Sequence, residues 1–125
     1  MKIVSQNKRS DDYSDDFIYQ FESLKSPDEI KAVLYQLKNS NYDILGARIS
    51  YNNDHSSYTP DNKFDNIDEF LAFYDGVSFQ EVGQLGFDSV VMGRRATILI
   101  YPNTNVLAVY VQKKNIEIQE NHHEK

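Results

Sequence analysis

Apolar and polar positions change their period several times along the chain, and each change marks a predicted element. Residues 1–16 hold no apolar period and carry Asp11, Asp12, Asp15 and Asp16, so the pattern predicts a flexible arm. From Phe17 the period becomes two, with Phe17, Tyr19 and Phe21 on one side and Gln20 and Glu22 on the other, as in a half-buried strand. Ser26-Pro27-Asp28-Glu29 then reads as a helix start: Ser26 can cap, Pro27 suits the first turn and Glu29 completes a capping box. Ile30, Val33, Leu34 and Leu37 follow at i, i+3, i+4 and i+7, which predicts a helix over 26–39 ended by Asn39-Ser40-Asn41.

Strand character returns over 42–51. Leu45, Ala47, Ile49 and Tyr51 share one parity and Tyr42 and Ile44 the other, so a bulge or bend is predicted beside Gly46. Residues 52–66 are almost wholly polar and read as a long loop. A second helix is predicted over 66–75, with Asn66 and Glu69 spaced as a capping box, Ile67, Phe70, Leu71 and Tyr74 on one face, and Gly76 as its stop. Short strands over 77–82 and 87–92 flank a turn at Gly83-Gln84-Leu85-Gly86. The runs 96–101 and 106–111 are apolar on both faces and separated by Pro102-Asn103-Thr104-Asn105, so they predict a hairpin at the centre of the core. Ile116 and Ile118 suggest a last edge strand before a polar tail over 119–125. The order predicts a single α+β domain over 1–125 with two helices, built on a strongly curved, mainly antiparallel sheet or a small β-barrel.

Composition narrows the chemistry. The chain has 125 residues, with 13 Lys and Arg against 19 Asp and Glu for a net charge of −6, and no Cys. Thiol catalysis, thiolate metal sites and disulfide scaffolding are excluded together. A chain of this size can bury its own core without such staples. No apolar run approaches the about 20 residues of a membrane helix and no signal-peptide hydrophobic region is present, so the expectation is a soluble, cytoplasmic protein without a membrane partner. His55, His122 and His123 all lie in polar segments, where nothing would hold a base against a nucleophile. Asp54, Asp61 and Asp65 depart from calcium-loop spacing, and no phosphate-binding glycine motif occurs. The chain therefore reads as a non-enzymatic protein with no cofactor and no metal.

Two surfaces carry potential for binding. If the hairpin turn closes around Asn103 and Thr104, Arg94 faces Lys113, Arg95 faces Gln112 and Lys114 lies just beyond, gathering four cations at one end, with Arg48 nearby. Like charges on one ladder suit an anion, an acidic segment or a phosphate backbone. The charge is also unevenly placed. Residues 1–75 hold 8 bases and 14 acids, whereas residues 82–114 hold four bases and one acid. The same cations could instead pair with Asp11, Asp12, Asp15 or Asp16. The second surface is acidic and aromatic, formed by those four aspartates with Tyr35 and Tyr58, and would suit a basic protein partner.

The strand before the Ser26-Pro27-Asp28-Glu29 helix, the second helix from Asn66 to Asp75 and the run of strands through 96–111 resemble the small PUA-like regulatory proteins of pheromone-responsive enterococcal conjugative plasmids. That resemblance implies a PUA-like barrel and a non-enzymatic regulator that binds RNA and restrains gene expression on a mobile element. The competing reading is an acidic inhibitor or immunity-type module acting on a basic protein.

Overall fold

The structure, a computed structural model, describes the backbone of residues 2–53, 57–74 and 82–115 and the side chains of these except 52–53, 57–62 and 115. The elements run β1 (Ile3–Ser10), β2 (Ser14–Phe21), α1 (Pro27–Asn39), β3 (Tyr42–Asn53), β4 (Ser57–Phe64), α2 (Ile67–Tyr74), β5 (Val82–Val91), β6 (Arg94–Tyr101) and β7 (Val106–Asn115). They form one 7-stranded sheet in the order β1-β2-β7-β6-β5-β3-β4, every pair antiparallel. The sheet is open, with β1 and β4 at its two ends. The α+β class with a mainly antiparallel sheet and two helices is therefore observed, and the strand order is that of an open sheet rather than a closed barrel.

Both helices begin where their capping residues stand. Glu29 N–H donates to Ser26 Oγ at 3.2 Å, while Glu29 Oε1 accepts from Ser26 N–H at 3.0 Å. Asn66 Oδ1 accepts from Glu69 N–H at 2.9 Å and opens α2 in the same way. The apolar stripes of both helices then close over one face of the sheet. Ile30, Val33, Leu34, Phe70 and Tyr74 join a single core cluster with inward residues of β2, β3, β5, β6 and β7. Phe70 meets Phe87 of β5 edge-on with ring centroids 5.1 Å apart, and α2 lies beside β3 and β4 at that end of the sheet.

The central hairpin has the predicted register from Tyr101↔Val106 to Ala96↔Val111. It then slips. Arg94 pairs with Asn115, so Gln112, Lys113 and Lys114 stand against Arg95 alone, and Arg94 does not face Lys113. The irregularity expected beside Gly46 is present as an extra residue, Leu45, between Ile44↔Ser89 and Gly46↔Asp88. It restores the inward parity of Ile44 and Ala47 on either side of the bulge.

Three sequence expectations are corrected. Residues 3–10 and 14–21 form a strand pair rather than an arm: Asp11 Oδ1 accepts from Tyr13 N–H at 2.7 Å and Ser14 N–H at 2.9 Å, making the turn between them. The segment expected as a loop over 52–66 extends β3 to Asn53 and contributes β4 over 57–64. An edge strand is held by its backbone ladder and needs no apolar alternation, which is why its polar sequence gave no strand signal. Gly83-Gln84-Leu85-Gly86 lies inside β5 rather than forming a turn. The actual turn is Met92-Gly93, both at positive φ of 53° and 76°, the two-residue geometry that matches strand twist.

Gly76, most of the 77–82 strand, Ile116, Ile118 and the tail lie outside the described residues, as do all three histidines and the side chain of Tyr58. Among the described residues no helix is long and apolar enough to cross a membrane.

Candidate functional site on the helix-free sheet face

Antiparallel register sorts side chains into rows that cross the sheet, and alternate rows face opposite sides. The rows packed under the helices are mainly apolar. The rows between them are different. One runs Asn7, Ile18, Ala108, Leu99, Gly86, Arg48 and Lys63, and the next runs Arg9, Asp16, Tyr110, Thr97, Asp88 and Gly46. Ile18, Leu99 and Tyr110 are half-buried and none belongs to the core cluster that holds the helices. This face is thus free of both helices and mixes aromatic, polar and basic groups.

Gly86 is the centre of the first row for a steric reason. A Cβ there would sit 2.9 Å from Arg48 Cζ and 3.0 Å from its Nε, so the guanidinium lies directly on the bare backbone of β5. Arg48 Nη1 also stands 3.6 Å from Asp88 Oδ1. Beyond that pair the face deepens into a basin of about 460 Å³. Asp88, Val90, Arg95, Thr97 and Gln112 line it, with Leu45 and Gly46 at one side. Arg95 is exposed and makes no ion pair among the described residues.

The cluster expected from sequence is divided by strand alternation. Arg95 and, by parity along β7, Lys114 belong to the helix-free face with Arg48. Arg94 belongs to the opposite, helix-covered side, where Nη2 donates to Asp15 Oδ2 at 3.1 Å and Nε donates to the Gln112 carbonyl at 2.6 Å. Lys113 shares that parity, and its N–H donates to the Tyr13 carbonyl at 2.8 Å. The Ser10 hydroxyl and then Arg94, with Lys113 nearby, hold the Asp15 carboxyl below the usual carboxylate range. Arg94 is therefore a neutralised structural clamp between β6 and β2.

The acidic surface is likewise largely spent on the fold. Asp11 makes the β1–β2 turn, and the Tyr13 and Ser14 N–H groups lower its pKa. Asp16 accepts from the Ser14 hydroxyl at 2.7 Å and stands 3.9 Å from Arg9. Asp12 is exposed. Tyr35 is exposed on α1 with Lys31 Nζ 5.7 Å from its ring centroid.

Sequence reasoning missed Tyr101, Tyr110, Thr97, Asp88, Lys63 and Gln112 as site residues. Tyr101 accepts from Gln84 Nε2 at 3.0 Å at the far end of this face. Burial, then the neighbouring Tyr101 and Asp16, raise the Tyr110 hydroxyl above its ordinary pKa, while Arg9 opposes them. The only available signal was polar or aromatic residues recurring at the outward parity of apolar strands. Chemically, the face offers a carboxylate, a hydroxyl and an amide beside a basin, flanked by guanidinium and ammonium groups. Comparison with family models, with curated proteins and with solved structures gave no match.

Proposed function

We propose that this chain is a non-enzymatic RNA-binding protein that lays a single strand across the helix-free face of its sheet. The observation that carries this reading is the basin bounded by Arg95, Thr97, Asp88 and Gln112, with Arg48 and Lys63 on neighbouring strands. Unpaired bases are recognised by stacking and by hydrogen bonds to their edges, whereas phosphates are held by cations. Tyr110 beside Thr97 supplies the aromatic surface. Asp88 accepts from exocyclic amines, and Gln112 and Thr97 both donate and accept. Arg95, Lys114, Arg48 and Lys63 follow the backbone. The net charge of −6 is unevenly placed, since residues 1–75 hold 8 bases and 14 acids whereas residues 82–114, which carry most of the basin, hold four bases and one acid. A regulatory role in gene expression is the accompanying expectation from the PUA-like resemblance.

The alternative, a basic protein docked on Asp11, Asp12, Asp15 and Asp16, has less support, since three of those carboxylates already accept hydrogen bonds within the fold. The test is fluorescence anisotropy with a labelled single-stranded RNA pool over a salt series. Each lost phosphate contact should flatten the slope of log K against log salt by about 0.7. Arg95→Glu with Lys114→Glu should abolish binding, and Tyr110→Ala should weaken it without changing the slope. Retained binding by the charge-reversed protein would sink the proposal.

A further inference from the structure

β1 is one end of the sheet and pairs only with β2, so the outward N–H and C=O groups along Ile3–Ser10 have no strand partner among the described residues. Every residue of β1 is exposed, including Ile3 at 46% and Val4 at 62%. Edge strands are ordinarily blunted by proline, by bulges or by charge. The opposite edge, β4, has Pro60 in the ladder and a register shift beside it. β1 has a register shift at Val4 and no proline, and its charges are all cationic: Lys8 and Arg9, preceded by Lys2, with no acid between 2 and 10.

The sign of that charge selects the partner. Two copies of β1 joined edge to edge would place four cations and no anion on one ladder, with Lys2 adjoining each strand, an arrangement that resists self-pairing. An acidic strand meets the opposite condition. Arg9 is 62% exposed in its side chain and lies 3.9 Å from Asp16, so most of its guanidinium remains available. Lys8 sits over the Phe17 ring at 5.4 Å on the helix side of the sheet.

A groove of about 320 Å³ opens on that same side beside Ile3. Its floor is Tyr19, Phe21, Leu107 and Val109, and Leu37 of α1 forms the far wall. A strand added about 4.8 Å outside β1 would run past Ile3, the residue of β1 at the rim of this opening. Because Ile3 and Lys8 both belong to the helix side by register, the two selective features are separated by five residues along one strand.

We propose that β1 is an acceptor edge for antiparallel strand addition by an acidic extended peptide, which places carboxylates against Arg9 and Lys8 and a large apolar side chain in the groove beside Ile3. Main-chain hydrogen bonds supply affinity in this mode and alternate side chains supply specificity. The site is separate from the RNA-binding face proposed above, so each can fail without the other.

The probe is a fluorescein-labelled peptide of sequence Glu-Glu-Thr-Val-Thr-Val-Phe with blocked ends, titrated with the full chain by anisotropy. Saturable binding is expected, falling at least about tenfold for Lys8→Glu with Arg9→Glu and similarly for a peptide N-methylated at alternate amides. Circular dichroism confirms that the double variant is folded, and Asp12→Asn serves as a charge control that leaves binding unchanged. No saturation, equal binding of a Lys-Lys peptide, or equal binding of the N-methylated peptide would overturn the proposal. A concentration-dependent dimer without peptide, abolished by the same double substitution, would give the edge to a second copy and overturn it too.

Discussion

Gly86→Ala tests whether the glycine exists to seat Arg48. The new Cβ would approach Arg48 Cζ to 2.9 Å and both Nε and Nη2 to 3.0 Å, inside ordinary van der Waals contact. The obstructing atoms are the far end of a flexible side chain that is 31% exposed, so the guanidinium can swing into solvent. That swing forfeits packing over β5 and the 3.6 Å approach to Asp88, whose side chain is 68% exposed. A pair so exposed contributes about 0–1 kcal/mol. Against this, alanine is favoured over glycine inside a strand by about 0.5–1 kcal/mol. The two effects nearly cancel, and Gly86→Ala should change stability by less than about 1 kcal/mol. With Arg48→Ala already present nothing obstructs the Cβ, so the same change should stabilise by about 0.5–1 kcal/mol. Urea denaturation of the four proteins in a double-mutant cycle measures this directly. Additivity within about 0.3 kcal/mol would refute the seating argument. So would a loss above about 3 kcal/mol in both backgrounds, which would mean that the backbone itself cannot accept a Cβ.

Two further outcomes follow from buried or capped groups. The Tyr74 ring stacks on Phe70 at 5.5 Å, but its hydroxyl is buried without a hydrogen-bond partner among the described residues, and burial pushes its pKa up to about 12. Tyr74→Phe should therefore leave chemical stability unchanged or raise it by about 1 kcal/mol, and a clear loss would reveal a hydrogen bond. Burial alone would raise the Glu29 carboxyl, yet donation from Ser26, Ser23 and Lys25 outweighs it and holds the pKa below the ordinary 4.5. Its contribution to stability is therefore present above pH 4.5 and lost as pH falls through the lower folded value. Glu29→Gln should destabilise at neutral pH and flatten the acid limb of the unfolding profile, and an unchanged limb would show that the cap does not titrate.

Local grammar explains how much of the molecule could be read from sequence. Ser26, Glu29 and Asn66 act within three residues of themselves, so their helices were legible. The central hairpin was legible because two apolar β-branched runs around a short turn leave few other pairings. β4 and β1 were not, because edge strands are stabilised by neighbours distant in sequence and carry polar residues by necessity. The turn expected at Gly83–Gly86 failed on the same ground, since a glycine inside a strand is explained by what lies on it.

The candidate site divides in the same way. By itself the sequence determined that the chemistry is thiol-free, that the acids crowd the first 75 residues and that cations gather near the hairpin end. Only the tertiary structure decided which of those cations are free. Strand alternation sends Arg94 and Arg95 to opposite faces, and the turn made by Asp11 brings Asp15 against Arg94 across 79 residues. Charge is a property of residues, whereas an available charge is a property of their neighbours, and those neighbours are set by the sheet order β1-β2-β7-β6.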